Sequence, residues 1–145
     1  MNPAFELSEY QRRLAKVRSA MSDKELDALV IGDPANMNWL TGFDAWSFYV
    51  PQVMLVLHDH PPVWLGRQMD AGSVLLTTHL GAESARPYAE DLVQRDGVHP
   101  MDAIGTSLAE FHLEGKRIGF ESDTYFFSFK AVERLQTKLS GAIWV

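Results

Sequence analysis

The sequence contains no cysteine, which excludes thiol nucleophiles, zinc-thiolate centres and disulfide staples together. Basic residues are a minority: 13 Lys plus Arg stand against 19 Asp plus Glu, for a formal net charge of -6 and a pI near 5.3. Phosphate binding needs a clustered basic face, and the pair Arg12-Arg13 lies inside a helical pattern, so no nucleic-acid partner is expected. Long apolar runs are missing as well. None approaches the roughly 20 residues of a membrane span, and Glu6 stands where a secretory leader would be basic, so a cytoplasmic location away from membranes is expected. Gly-x-Ser-x-Gly, Gly-x-Gly-x-x-Gly and Gly-Lys-Ser/Thr strings do not occur, which removes the common hydrolase elbow and phosphate loops.

What remains is 145 residues, 46% of them apolar, in keeping with one domain that buries about two thirds of its unfolded surface without a metal or disulfide. Ser8 to Gln11 has the form of a capping box, and Tyr10, Leu14, Val17 and Met21 recur at helical spacing, with Arg12, Arg13, Lys16 and Arg18 on the other faces. Ala28 to Ile31 is a wholly apolar run closed by Gly32-Asp33-Pro34, which reads as a buried strand. Asp33 suits the turn before Pro34. Pro34 to Gly42 suits one or two helical turns stopped by a left-handed glycine.

Val53 to His58 and Val63 to Leu65 form a hairpin across Asp59-His60-Pro61-Pro62, and a polar helix follows over 70–77. Arg86 to Tyr88 is a weak strand. Helices over 100–111 and from a Ser128 cap to Leu139, with strands at 118–121 and 142–145, complete the pattern. Helices alternating with short apolar strands predict an α/β fold with a mixed sheet covered on both faces. The chain ends on an apolar strand, which suggests a longer parent protein.

His58-Asp59-His60 is the one cluster with the look of a ligand set, since residues 58 and 60 of a strand face one side. Beside Pro61-Pro62 at a hairpin tip, solvated side chains account for it better, and a catalytic metal would need a third ligand that nothing marks. His79, His99 and His112 read as surface or cap residues, and no pair of carboxylates stands out by spacing. The segment from Asn36 to Gln52 holds five aromatics in seventeen residues. Trp39, Leu40 and Phe43 read as core. Trp46, Phe48, Tyr49 and Gln52 are candidates for lining a substrate site or for the core, because neither a helical nor an alternating period accounts for all four.

Within that segment, Asn36-Met37-Asn38-Trp39-Leu40-Thr41-Gly42-Phe43 resembles the Asn-x-x-Tyr/Trp-Leu-Thr-Gly-Phe signature in the N-terminal domain of the creatinase and prolidase family. The resemblance extends in order to Tyr10-Gln11-Arg12-Arg13-Leu14, Leu26 to Val30, the hairpin, and Ile118 to Glu121, and so covers nearly the whole chain. It implies a three-layer α/β/α unit with a ribonuclease H-like mixed sheet. It implies further that hydrolysis belongs to a second, C-terminal domain whose acidic and His side chains hold a divalent metal pair, with no cofactor and no catalytic residue in this chain. The expected partners are that catalytic domain, a second subunit in a homodimer, and a small-molecule or dipeptide substrate. Trp46 to Gln52 looks more like the ectoine-hydrolase branch than creatinases or proline dipeptidases, and the loop lacks the Arg that would hold a carboxylate. A binding module that kept the fold and lost the enzyme is the reading from a different class.

Overall fold

The computed structural model describes residues 3–145. Helix α1 (Leu7–Asp23) starts one residue before the expected cap: Glu6, in extended conformation, precedes it without a side-chain cap bond, and Ser8 is already helical, so the capping box does not form. Glu9 in the first turn turns its carboxylate to Arg12 and Arg13 instead, at 2.8 Å. Those hydrogen bonds, Arg12 first and then Arg13, hold the Glu9 carboxyl down to about 2. Arg13 is a second departure. The sequence places it on a solvated face, yet it is buried, donating to the Trp39 carbonyl at 2.7 Å with its guanidinium 4.5 Å from the Phe5 ring centre.

Six strands follow the apolar runs: β1 (Ala28–Ile31), β2 (Val53–Leu57), β3 (Val63–Arg67), β4 (Ala85–Tyr88), β5 (Arg117–Phe120) and β6 (Ile143–Trp144). They make one mixed sheet in the order β4-β3-β2-β1-β5-β6. Because successive side chains of a strand alternate faces, each run feeds two layers. Ala28, Val30, Val53, Leu55, Val63 and Leu65 pack with Met101, Ile104, Ala131 and Leu135, which come from α4 (Pro100–Ala109) and α5 (Phe129–Lys138). Ile31, Met54, Val56 and Trp64 pack on the other side with Met21 of α1, Met37 and Leu40 of α2 (Pro34–Thr41), and Val74 of α3 (Ala71–Thr77). The result is the expected three-layer α/β/α arrangement.

Strand directions decide where the loops gather. β5 runs parallel to β1 and β6 parallel to β5, while β2 is antiparallel to β1, β3 antiparallel to β2 and β4 parallel to β3. The carboxyl ends of β1, β3, β4, β5 and β6 therefore share one rim with the start of β2. Open α/β sheets place their ligands at such a rim.

Gly42 closes α2 in the left-handed region at φ 84°, as the sequence predicts. A Cβ there would lie 2.7 Å from the Tyr10 hydroxyl and 2.8 Å from the Thr77 carbonyl. Gly42→Ala is expected to cost about 1–3 kcal/mol from backbone strain and collision together. A urea midpoint unchanged from wild type would refute it.

Candidate functional site

The rim is organised by α2 and the turn before it. Asp33 caps the helix by accepting from the Ala35 amide at 2.8 Å. Glu121, just past β5, accepts from the amides of Gly32 and Asp33 at 2.7 and 2.8 Å and from Asn36 Nδ2 at 2.6 Å. One carboxylate thus ties the exits of two neighbouring parallel strands together. Sequence reasoning passed over Glu121 as the end of a strand. An acid placed to meet the unpaired amides at the start of a helix is a signal only once β1 and β5 are known to be adjacent.

The Asn36 to Phe43 signature is the helix end itself. Thr41 Oγ1 donates to the Met37 carbonyl at 2.9 Å and accepts from the Phe43 amide at 3.2 Å, and the Gly42 amide donates to the Asn38 carbonyl at 2.7 Å. Leu40 and Phe43 are buried as expected, whereas Trp39 is 42% exposed, its ring 5.3 Å from the Arg13 guanidinium rather than in the core.

The four lining candidates divide. Trp46, Phe48 and Tyr49 stand out from the loop at 83%, 52% and 58% exposure, while Gln52 is buried. Gln52 Oε1 accepts from the Trp64 indole at 3.0 Å. Arg67, at the end of β3, anchors the loop: its Nη1 lies 3.3 Å from the Tyr49 hydroxyl, and its Nε donates to Glu90 at 2.7 Å. That ion pair holds the Glu90 carboxyl below the usual carboxylate range. The Tyr88 hydroxyl donates to the Pro51 carbonyl at 2.8 Å, and burial raises its pKa.

Beside this loop lies an open cleft of about 730 Å³, walled by Phe43, Phe48 and Phe126 and edged by Asp33, Asp44 and Gln52. A recess of about 320 Å³ on the other flank of Phe48 is lined by Tyr49, His99 and Tyr125. His99 caps α4 through Nδ1, which accepts from the Met101 amide at 3.1 Å, and burial lowers its pKa. Tyr125 and Phe129 are fully or nearly fully exposed. The sequence reading missed Tyr125 and Phe126 as rim residues, although the Tyr125-Phe126-Phe127 run directly after β5 was available as a signal.

His58 and His60 do not converge. The strand ends at Leu57. His58 Nε2 sits 2.8 Å from the Leu26 carbonyl, and His60 packs edge-on against Phe111. Among the described residues no three His, Asp or Glu side chains cluster closely enough to hold a metal ion. No helix among them is long and apolar enough to cross a membrane.

Compared with known proteins, residues 13–145 match the model of the creatinase/prolidase N-terminal domain. The chain is 42% identical to the ectoine hydrolase of Halomonas elongata over 139 residues, covering 95% of this chain and 35% of that protein. It is 36% identical to an uncharacterized hydrolase/peptidase of Sinorhizobium fredii, again over 35% of the relative. The chain therefore spans about a third of the length of the relatives it matches. In fold it is similar to the creatinase/prolidase N-terminal domain of an X-Pro dipeptidase from Streptococcus pyogenes, with a TM-score of 0.70 at 22% identity over 91% of both chains. It is also similar to the prolidase of Pyrococcus horikoshii, with a TM-score of 0.64 at 14% identity, covering 92% of this chain and 31% of that one.

Proposed function

Because the chain belongs to the creatinase/prolidase N-terminal domain family, we propose that it is the non-catalytic first domain of a metal-dependent C–N hydrolase, closing the active site of the domain that follows and supporting a homodimer. The observation that carries this reading is the rim: three exposed aromatics and a cleft on one edge of the sheet, in a chain without a metal-ligand cluster among its described residues. The divalent metal pair is assigned to the following domain, where it would activate the attacking water. This chain supplies apolar walls and hydrogen-bonding tips that exclude bulk water around the substrate.

A small zwitterionic cyclic amidine, ectoine, is the substrate we favour. The 42% identity to an ectoine hydrolase supports it, and aromatic faces suit a delocalised cation. An Xaa-Pro dipeptide fits the same walls and is the second reading, supported by the likeness of fold to prolidases alone. A cytoplasmic location of the parent protein is part of this reading, supported by the likeness of fold to a cytoplasmic peptidase of Mycobacterium tuberculosis. The test is turnover: the parent protein, loaded with divalent metal, is expected to hydrolyse ectoine, and residues 1–145 alone to hydrolyse neither ectoine nor Xaa-Pro dipeptides nor creatine. Metal-dependent turnover by the isolated chain would overturn the assignment.

A further inference from the structure

We propose that Gln52 is a specificity-determining residue of the cleft, its amide locked by Trp64 so that the Nε2 hydrogens are presented to a carboxylate on the ligand. The inference rests on the substrate-closing role proposed above and adds the atom that reads the ligand.

An indole N–H can only donate. With Trp64 Nε1 at 3.0 Å, the Gln52 side chain must turn its carbonyl oxygen to the indole, and this settles which end of the amide is which. The Nε2 group is then directed away from Trp64 and makes no hydrogen bond to any described side chain or carbonyl. Gln52 is only 5% exposed and lines the cleft. Among the described residues the buried side-chain nitrogens left without a partner belong to Arg134 and Trp144, not to Gln52, so its Nε2 is open to solvent, and the cleft it lines is where its two donors can meet a ligand. The lock is rigid, because Trp64 is itself fully buried and packed on Phe43 at 5.1 Å between ring centres.

The same cleft also carries the opposite character. The Asp44 carboxylate makes no ion pair or hydrogen bond among the described residues and shares the cleft with Phe43, Phe48 and Phe126, while no Lys, Arg or His lines it. A fixed donor together with a free carboxylate and ring faces in one cleft suits a small zwitterion: the ligand's carboxylate toward Gln52, its delocalised cation toward the rings and Asp44. The arrangement also answers the missing Arg of the loop, since a fixed amide can hold a carboxylate where no guanidinium is present.

The experiment is a titration of residues 1–145 with ectoine and with its carboxamide analogue, following the Gln52 side-chain amide by 15N NMR. The Streptococcus pyogenes relative, a chain of little more than this domain, gives precedent for the domain folding alone. Ectoine is expected to shift the Gln52 amide. Gln52→Glu keeps an acceptor for Trp64 but replaces the donor by a charge, so it should weaken ectoine about 10- to 100-fold and reverse the preference toward the carboxamide. Trp64→Phe, checked for folding by circular dichroism, frees the amide to rotate and should weaken ectoine by a smaller factor. Absence of any shift at Gln52, or equal affinity of Gln52→Glu for both probes, overturns the proposal. Failure of the parent protein to hydrolyse ectoine or a dipeptide bears on the proposed function instead and is read separately by turnover.

Discussion

Replacing Trp64 by Ala is expected to remove about 3–5 kcal/mol of stability, the range for truncating a large buried aromatic. Against a total of about 5–15 kcal/mol for an ordinary domain, that is enough to leave much of the protein unfolded near body temperature. The position justifies the upper part of the range. Trp64 is fully buried in β3, directly opposite Met54 of β2 and Ala85 of β4, and its ring packs on Phe43. A Cβ at Gly66 would collide with the indole, so the glycine two residues along the strand is part of the same packing. Truncation also orphans the buried Gln52 carbonyl oxygen, which adds the cost of an unsatisfied acceptor. Trp64→Phe should fall between, keeping most of the apolar contact while losing the hydrogen bond. Urea denaturation checks both, and a loss below about 1 kcal/mol for Trp64→Ala would mean the site collapses around the cavity far more readily than this packing allows.

The parts of this fold that a sequence can specify are those whose partners are close along the chain. Ala28 to Ile31, the hairpin strands and the helices over 34–41 and 129–138 follow from local apolar period and turn chemistry, and Asp33, Gly42 and Ser128 act at the helix ends as their residue types imply. Ser8 fits a capping pattern without capping anything, because the helix begins one residue earlier and Glu9 is occupied by two arginines. Arg13 and Glu121 were misread or passed over for a different reason. Their roles depend on a carbonyl 26 residues away and on amides 88 and 89 residues away. No local period reports such distances. The aromatic loop stood apart in the sequence because it matched neither period, and in the structure Trp46, Phe48 and Tyr49 do not pack into the core.

In the parent protein the double substitution Trp46→Ala with Tyr49→Ala is expected to lower kcat/KM by roughly 100-fold or more, since removing an aromatic anchor from a closed site commonly costs about 2 kcal/mol or more. The fold should not notice. Both side chains are mostly exposed, and exposed substitutions usually change stability by less than about 0.5 kcal/mol. That separation of activity from stability is the informative part, because a structural role would move both. Tyr49→Phe divides the effect further. Arg67 lies 3.3 Å from the Tyr49 hydroxyl and donates to its oxygen, leaving the O–H to donate outward. If that proton meets the substrate, the phenylalanine variant should lose about tenfold through KM while the ring still excludes water. If the ring alone matters, Tyr49→Phe should match wild type and only the alanine variants should fall. Unchanged kinetics in the double variant would return the loop to a purely structural role and would remove the main support for this domain closing over a substrate.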